Sequence, residues 1–141
     1  MHEHSYLGAS GDEIIKNQSY HGENPGVLEI KCPFSLDKIQ VTQKTIADIA
    51  TEHKSFFLEY DGDGRLRLKR TSAYYFQVQG EMAIKKCTWA HFVVWTECDV
   101  FIEEILFDQN AWNTYTLPKL QSLYLQVLVP EILTRKIQQS L

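Results

Sequence analysis

The side chains with the most chemical content lie close together in the first third of the chain. Glu29 and Lys31 stand two apart in Gly26-Val27-Leu28-Glu29-Ile30-Lys31-Cys32-Pro33, a run whose apolar residues read as a strand. Period-two geometry brings the carboxylate and the ammonium out on one face. The backbone carbonyl of Ile30 lies between them as a third donor. Asp12 heads the preceding strand candidate and supplies a second carboxylate if the two strands pair. Hard oxygen ligands at short range, a water made nucleophilic by metal, and a nearby cation are what a magnesium-dependent phosphodiesterase requires. A Glu-x-Lys triplet alone is more often a solvated charge pair. An acid and a base on one face of an otherwise apolar strand are less expected of solvent exposure.

The elements that must position these groups follow from pattern. Asp12–Lys16 and Val27–Lys31 are strand candidates joined across the turn-rich residues 17–26, with Asn24-Pro25-Gly26 as a breaker, and they can form a hairpin. Pro33 ends the second strand. Ile39, Ile46 and Ile49 give a weak helical stripe within residues 35–54. Phe56–Tyr60 and Arg65–Arg70 flank Asp61-Gly62-Asp63-Gly64, a hairpin signal. Alternation in its second arm puts Arg65, Arg67 and Lys69 on one face. Ser72 caps a helix running to about Lys86, with Tyr75, Val78, Gln79 and Met82 on one side. Ala90–Thr96 and Asp99–Phe107 read as adjacent strands. Asp108 caps a short helix holding Trp112. A last helix starts near Pro118, its buried stripe formed by Leu120, Leu123, Tyr124, Val127 and Leu128, and Pro130 must kink or interrupt it. The order of strands, helix, strands and helices predicts an α/β (α+β) fold, a mixed sheet with helices packed on it.

Bulk properties bound the alternatives. The 141 residues suit one domain, residues 1–141, with 44% hydrophobic and 23% charged residues. No apolar run suffices for a transmembrane helix, and Met1-His2-Glu3-His4 lacks signal-peptide character, so an intracellular protein, cytoplasmic or nuclear, is the expectation. Cys32, Cys87 and Cys98 are odd in number and widely spaced, which fits reduced thiols rather than disulfides or a zinc knuckle. A net charge of −4 argues against coating nucleic acid by charge alone, but not against a carboxylate site neutralised by metal.

At several points in order the chain resembles one family. GVLEIKCPFS (26–35) resembles the signature strand of the phage lambda exonuclease / YqaJ viral recombinase group, part of the PD-(D/E)xK nuclease superfamily. YLGASGDEII (6–15) resembles its upstream segment and YYFQVQGEM (74–82) its helix. HFVVWT (91–96) and FIEEILFDQNAWN (101–113) resemble the following strands and turn, and PKLQSLYLQVLVPEIL (118–133) the C-terminal helix. The resemblance implies a restriction-endonuclease-like core. It implies that Asp12 and Glu29 ligate Mg²⁺ (Mn²⁺ as the alternative) and that Lys31 orients or activates the attacking water. Gln77 matches a glutamine aimed into the site, with Gln79 and Tyr74 as nearby candidates for the DNA-contacting set. The implied reaction is exonucleolytic hydrolysis of DNA from duplex ends during recombination, with a single-strand annealing protein as partner and homo-oligomers as a further expectation. The chain departs from the pattern at Gly11, where the family has proline, and at Glu13, where it has glycine. The family's preceding helical region, which supplies a further metal-ligating glutamate, is expected to be missing. The chain then reads as an N-terminally truncated copy, with Glu3 as a remote substitute.

Other groups have plainer readings. His2 and His4 are read as incidental. Asp61–Gly64 faintly resembles a calcium loop but has Ser72 where the twelfth-position acid belongs, so a tight turn is expected. Arg65, Arg67, Lys69 and Arg70 are either phosphate contacts or an ordinary solvated face. Cys32, His91, Trp89, Trp95 and Trp112 are expected to be packing residues. The competing functions are a catalytically impaired DNA-binding module of the same fold and a structural interaction domain. An acidic residue within reach of Asp12 and Glu29 would favour the enzyme.

Overall fold

The computed structural model describes residues 6–16, 21–33, 35–36, 39–40 and 44–134. The expectations on His2, His4 and Glu3 lie outside them. The chain divides after Phe107 into two compact units.

The first unit is built on a four-stranded sheet. Its strands are β1 (Glu13–Ile15), β2 (Gly26–Lys31), β7 (Trp89–Trp95) and β8 (Val100–Leu106), in the order β1-β2-β7-β8. The expected hairpin forms: β1 runs antiparallel to β2, with Ile14 opposite Val27. β2 is parallel to β7, with Glu29 opposite Phe92, and β7 is antiparallel to β8. The sheet is therefore mixed. A parallel pair needs a long crossover, and the residues between β2 and β7 supply it. They contain the short pair β3 (Ser35–Leu36) and β4 (Ile39–Gln40), helix α1 (Ile46–Glu52), the hairpin of β5 (Leu58–Tyr60) and β6 (Leu66–Leu68), and helix α2 (Ala73–Lys85).

The helical stripe expected within residues 35–54 is only half realised. Ile39 lies in β4, whereas Ile46 and Ile49 are the buried face of α1. The helix begins where a cap is available: Thr45 accepts from the Asp48 N–H, and Asp99 accepts from the Ile46 N–H at 3.0 Å. In the β5–β6 turn Asp61 Oδ1 accepts from the N–H groups of Asp63 and Arg65, both at 2.9 Å, and Gly64 takes φ +75°. That is a closed turn, as expected, in which the carboxylate serves the backbone.

Ser72 caps α2 by accepting from the Tyr74 N–H. Val78 and Met82 on its inner face join Val27, Ala90, Phe92, Val94 and Ile105 from the sheet, and Leu58, Leu68, Phe56, Ile46 and Ile49 from the crossover, in one core. Gly26 is a close-approach glycine: a Cβ there would sit 2.4 Å from the Trp89 ring. Trp89 is buried as expected, and its indole N–H reaches the Asn24 carbonyl. Trp95 is 48% exposed, because the alternation of β7 turns it away from the face that holds Phe92 and Val94.

The second unit is a run of helical segments. Asp108 caps α3 (Gln109–Ala111), as expected. A π-helical segment (Trp112–Thr116) leads into α4 (Leu117–Leu123), and a second (Tyr124–Leu128) leads into α5 (Val129–Thr134). Each wide turn comes immediately before a segment whose second residue is proline, Pro118 or Pro130. Proline lacks an N–H and crowds the carbonyl four residues back, and a switch to i→i+5 bonding relieves that crowding. The bonds from the Leu117 N–H to Trp112 O and from the Val129 N–H to Tyr124 O have this form. The second wide turn also shifts the angular register within the apolar stripe. The 3.6-residue stripe expected to be buried is not: Leu123, Val127 and Leu128 are all exposed.

Candidate active site

The apolar strand β2 turns polar at its end. Val27, Glu29 and Lys31 share the face covered by α2, whereas Ile30 points the other way and is exposed. Lys31 Nζ donates to Glu29 Oε1 at 2.5 Å and to Gln77 Oε1 at 3.2 Å, and Gln77 Nε2 donates to Glu29 Oε1 at 2.7 Å. The three side chains thus close a triangle of charge-assisted hydrogen bonds. The Lys31 ammonium also sits 4.6 Å from the centre of the Tyr74 ring, a cation–π position. Tyr74 and Gln77 are three residues apart on α2, so one helical face brings both to the strand.

Asp12 joins the group through the backbone. Its Oδ2 accepts the Ile30 N–H at 2.7 Å, which fastens the segment ahead of β1 to the strand that carries Glu29 and Lys31.

Pattern reading missed Glu81. It is 2% exposed, and its Oε1 accepts from Gln77 Nε2 at 2.9 Å. Burial pushes its carboxyl above the ordinary range, the Gln77 hydrogen bond opposes this, and the charge of Glu29 adds to the rise. The available signal was its spacing of four from Gln77 on a predicted helix, which places both on one face. It is an acidic residue on the same amide as Glu29.

The remaining candidates lie elsewhere. Gln79 is buried, and its amide donates to the Leu106 carbonyl at 2.9 Å, so its side chain ties α2 to β8 and does not point toward Lys31. Arg67 is paired with Glu59 across the β5–β6 hairpin, Lys69 Nζ donates to the Lys54 carbonyl, and Arg70 pairs with Glu103. Arg65 is exposed. Cys32, expected to pack, is exposed because it follows the last residue of β2. His91 is structural in the expected sense: its ring meets Trp89 edge-on, and its Nε2 lies 3.5 Å from Glu104. Glu104 also takes a 2.8 Å hydrogen bond from His21, whose ring stacks on Trp89.

A divalent cation can be weighed against these donors. Among the described residues no group of three or more His, Cys, Asp or Glu side chains is spaced to hold a metal ion. Magnesium asks for less, since it is commonly held by one or two carboxylates and keeps several waters. Glu29 Oε2 is buried and, among the described residues, without a hydrogen-bond partner, a carboxyl oxygen left over in the cluster with Lys31. Such an oxygen fits a hard cation, so the donor set is compatible with Mg²⁺.

The mixed sheet, the helix laid over it and the Glu-x-Lys strand end define an α+β protein with a carboxylate–lysine cluster under one helix. The family model of the YqaJ-like viral recombinase domain matches residues 1–98, and the chain belongs to that family. This is a recombination-related nuclease family. The matched stretch contains every residue of the cluster. No curated protein and no solved structure matches the chain. No helix among the described residues is long and apolar enough to cross a membrane.

Proposed function

We propose that the chain is a divalent-cation-dependent DNA exonuclease that hydrolyses phosphodiester bonds from duplex ends in recombination. The observation that supports this best is the meeting of Glu29, Lys31 and Gln77 at the end of β2, in a chain of a recombination-related nuclease family. Asp12, Glu29 and the Ile30 carbonyl would hold the cation, Mg²⁺ or Mn²⁺. When bound, it supplies positive charge at the attacked phosphate and makes a water more acidic. The protein's own groups do the rest. Lys31 sets an ammonium beside Glu29, where it offsets charge developing on phosphoryl oxygens. Gln77 holds Glu29 and Lys31 in a fixed relation, and the Tyr74 ring limits where the ammonium can swing. The Glu59, Lys54 and Glu103 contacts occupy three of the hairpin cations. DNA is therefore engaged at its end, by the site, more than along its backbone by a basic surface. A single-strand annealing protein and further copies of the chain are the partners such a role calls for.

Digestion of end-labelled linear duplex and of closed circular duplex with Mg²⁺ tests the proposal. Degradation of the linear DNA alone, lost in Glu29→Ala and Lys31→Ala, is the expected result. Equal activity in wild type and both variants would remove these residues from the mechanism.

A further inference from the structure

The amide of Gln77 holds two carboxylates at once. Its Nε2 donates to Glu29 Oε1 at 2.7 Å and to Glu81 Oε1 at 2.9 Å, so the single amide group has both of its hydrogens committed to acids, one from β2 and one from α2. The two acids are 3% and 2% exposed, and each has its second oxygen, Oε2, buried and without a hydrogen-bond partner among the described residues. Buried carboxylate oxygens are almost always paired, and leaving one unpaired costs stability. Here two occur on one amide.

The far side of Glu81 meets the Asp12 segment. A Cβ built on Gly11 would lie 2.6 Å from Glu81 Oε2 and 2.8 Å from Lys85 Nζ. The Glu81 carboxylate therefore lies against the backbone of the residue next to Asp12. The unpaired oxygen of Glu81 thus lies between the helix that carries Gln77 and the residue preceding a candidate ligand.

Carboxyl oxygens from two elements, unpaired among the described residues and fixed by one shared donor, match the requirement of a hard divalent cation for carboxylate oxygens. We infer that Glu81 is a cation ligand, acting with Glu29 on a divalent metal ion beneath α2. This rests on the nuclease reading and deepens it, because it gives the cation a carboxylate that comes from the helix and not from the Glu-x-Lys strand. A purely structural Glu81, carrying a proton to satisfy its second oxygen, would leave metal affinity untouched.

The test is direct Mn²⁺ binding to the full chain without DNA, by calorimetry and by the electron paramagnetic resonance of free Mn²⁺. Glu81→Gln keeps the shape and an acceptor for Gln77 while removing the charge. Glu81→Ala is the second variant, and Glu104→Gln, remote from the cluster, is the control. Weakening of Mn²⁺ affinity by tenfold or more in Glu81→Gln and Glu81→Ala, with Glu104→Gln unchanged, supports the inference. Wild-type affinity in both Glu81 variants, with binding lost in Glu29→Gln, overturns it and leaves the nuclease reading standing. Absence of Mn²⁺ binding in the wild type overturns both. A second readout is thermal unfolding: metal-free Glu81→Gln should melt above wild type, and added Mn²⁺ should raise the wild-type midpoint more than that of the variant.

Discussion

Asp12 Oδ2 accepts the backbone N–H of Ile30 at 2.7 Å, so a side chain ahead of β1 is tied to the residue between Glu29 and Lys31. One carboxylate therefore has two separable duties, fixing the strand and offering its charge to the site. Asp12→Asn keeps an acceptor for the amide and removes the charge. Asp12→Ala removes both. The expected outcome is that both variants lose DNA hydrolysis by about 100-fold or more, the scale of lost electrostatic stabilisation. Only Asp12→Ala should also lose about 1 kcal/mol of stability, the net scale of one exposed intramolecular hydrogen bond. Urea unfolding beside the nuclease assay separates the duties. Equal stability of the two variants would mean the Ile30 contact is energetically idle.

Lys31 is the neighbour that makes a buried Glu29 tolerable. The Glu29 carboxylate is nearly sequestered from solvent and the ammonium is partly exposed. Removing the base leaves the acid with the Gln77 amide as its one hydrogen-bond donor among the described residues. Lys31→Ala should therefore unfold at lower urea, by about 1–3 kcal/mol, below the range for fully buried pairs because the lysine is not fully buried. The double variant Lys31→Ala/Glu29→Gln should recover much of that loss without recovering activity. A double variant no more stable than Lys31→Ala would show that the pair contributes little to the fold.

A different carboxylate sets an acid limit. Glu104 is held below the ordinary glutamate value of 4.5, first by the hydrogen bond from His21 and further by the charges of His21 and His91. A depressed carboxyl stabilises the fold above the ordinary value, and that contribution is lost as pH falls through the folded-state value. Wild type should exceed Glu104→Gln in urea midpoint from neutral pH down to about 4.5, and the two should converge below it. A gap that widens on acidification would contradict this assignment.

The parts of this architecture with short-range causes were legible in the sequence. The β1–β2 hairpin, the Asp61–Gly64 turn, the Ser72-capped helix and the β7–β8 pair each follow from a local period bounded by a turn or cap. The proximity of Gln77 to Glu29 was expected from resemblance, and the geometry shows the two in contact. Glu81 was not legible, because its meaning depends on burial and on sharing an amide with a residue 52 positions away. The apolar stripe after Pro118 misled because apolar spacing marks a face without fixing what covers it: Leu123, in the regular α4, is already exposed, and the wide turn Tyr124–Leu128 then breaks the 3.6-residue phase within the stripe. Trp95 and Cys32 misled because apolar type predicts burial in one direction only.

Gly26 joins the fold to the site, and it offers a test that touches no charged group. It opens β2, three residues before Glu29, and its Cα faces the buried ring of Trp89 at a distance that admits no Cβ, with the nearest ring atoms 2.4–2.5 Å from where one would be. The ring has its own restraints. It is 1% exposed, stacked by His21, and held by its N–H bond to the Asn24 carbonyl. Gly26→Ala must therefore displace either the ring or the strand. Overpacking of this kind costs about 1–3 kcal/mol. If the strand moves, Glu29 and Lys31 move with it and hydrolysis falls. If the ring moves, His21 and Asn24 lose their contacts while the site is spared. Tryptophan fluorescence in Gly26→Ala, read beside the nuclease rate, distinguishes the two. The register with β1 and β7 holds β2 along its length, whereas the ring is held by two histidine rings and one hydrogen bond, so the expected outcome is a changed emission spectrum with a rate within about threefold of wild type, a barrier change of no more than about 0.65 kcal/mol. An unchanged spectrum with a large loss of rate would show that β2 is the softer of the two.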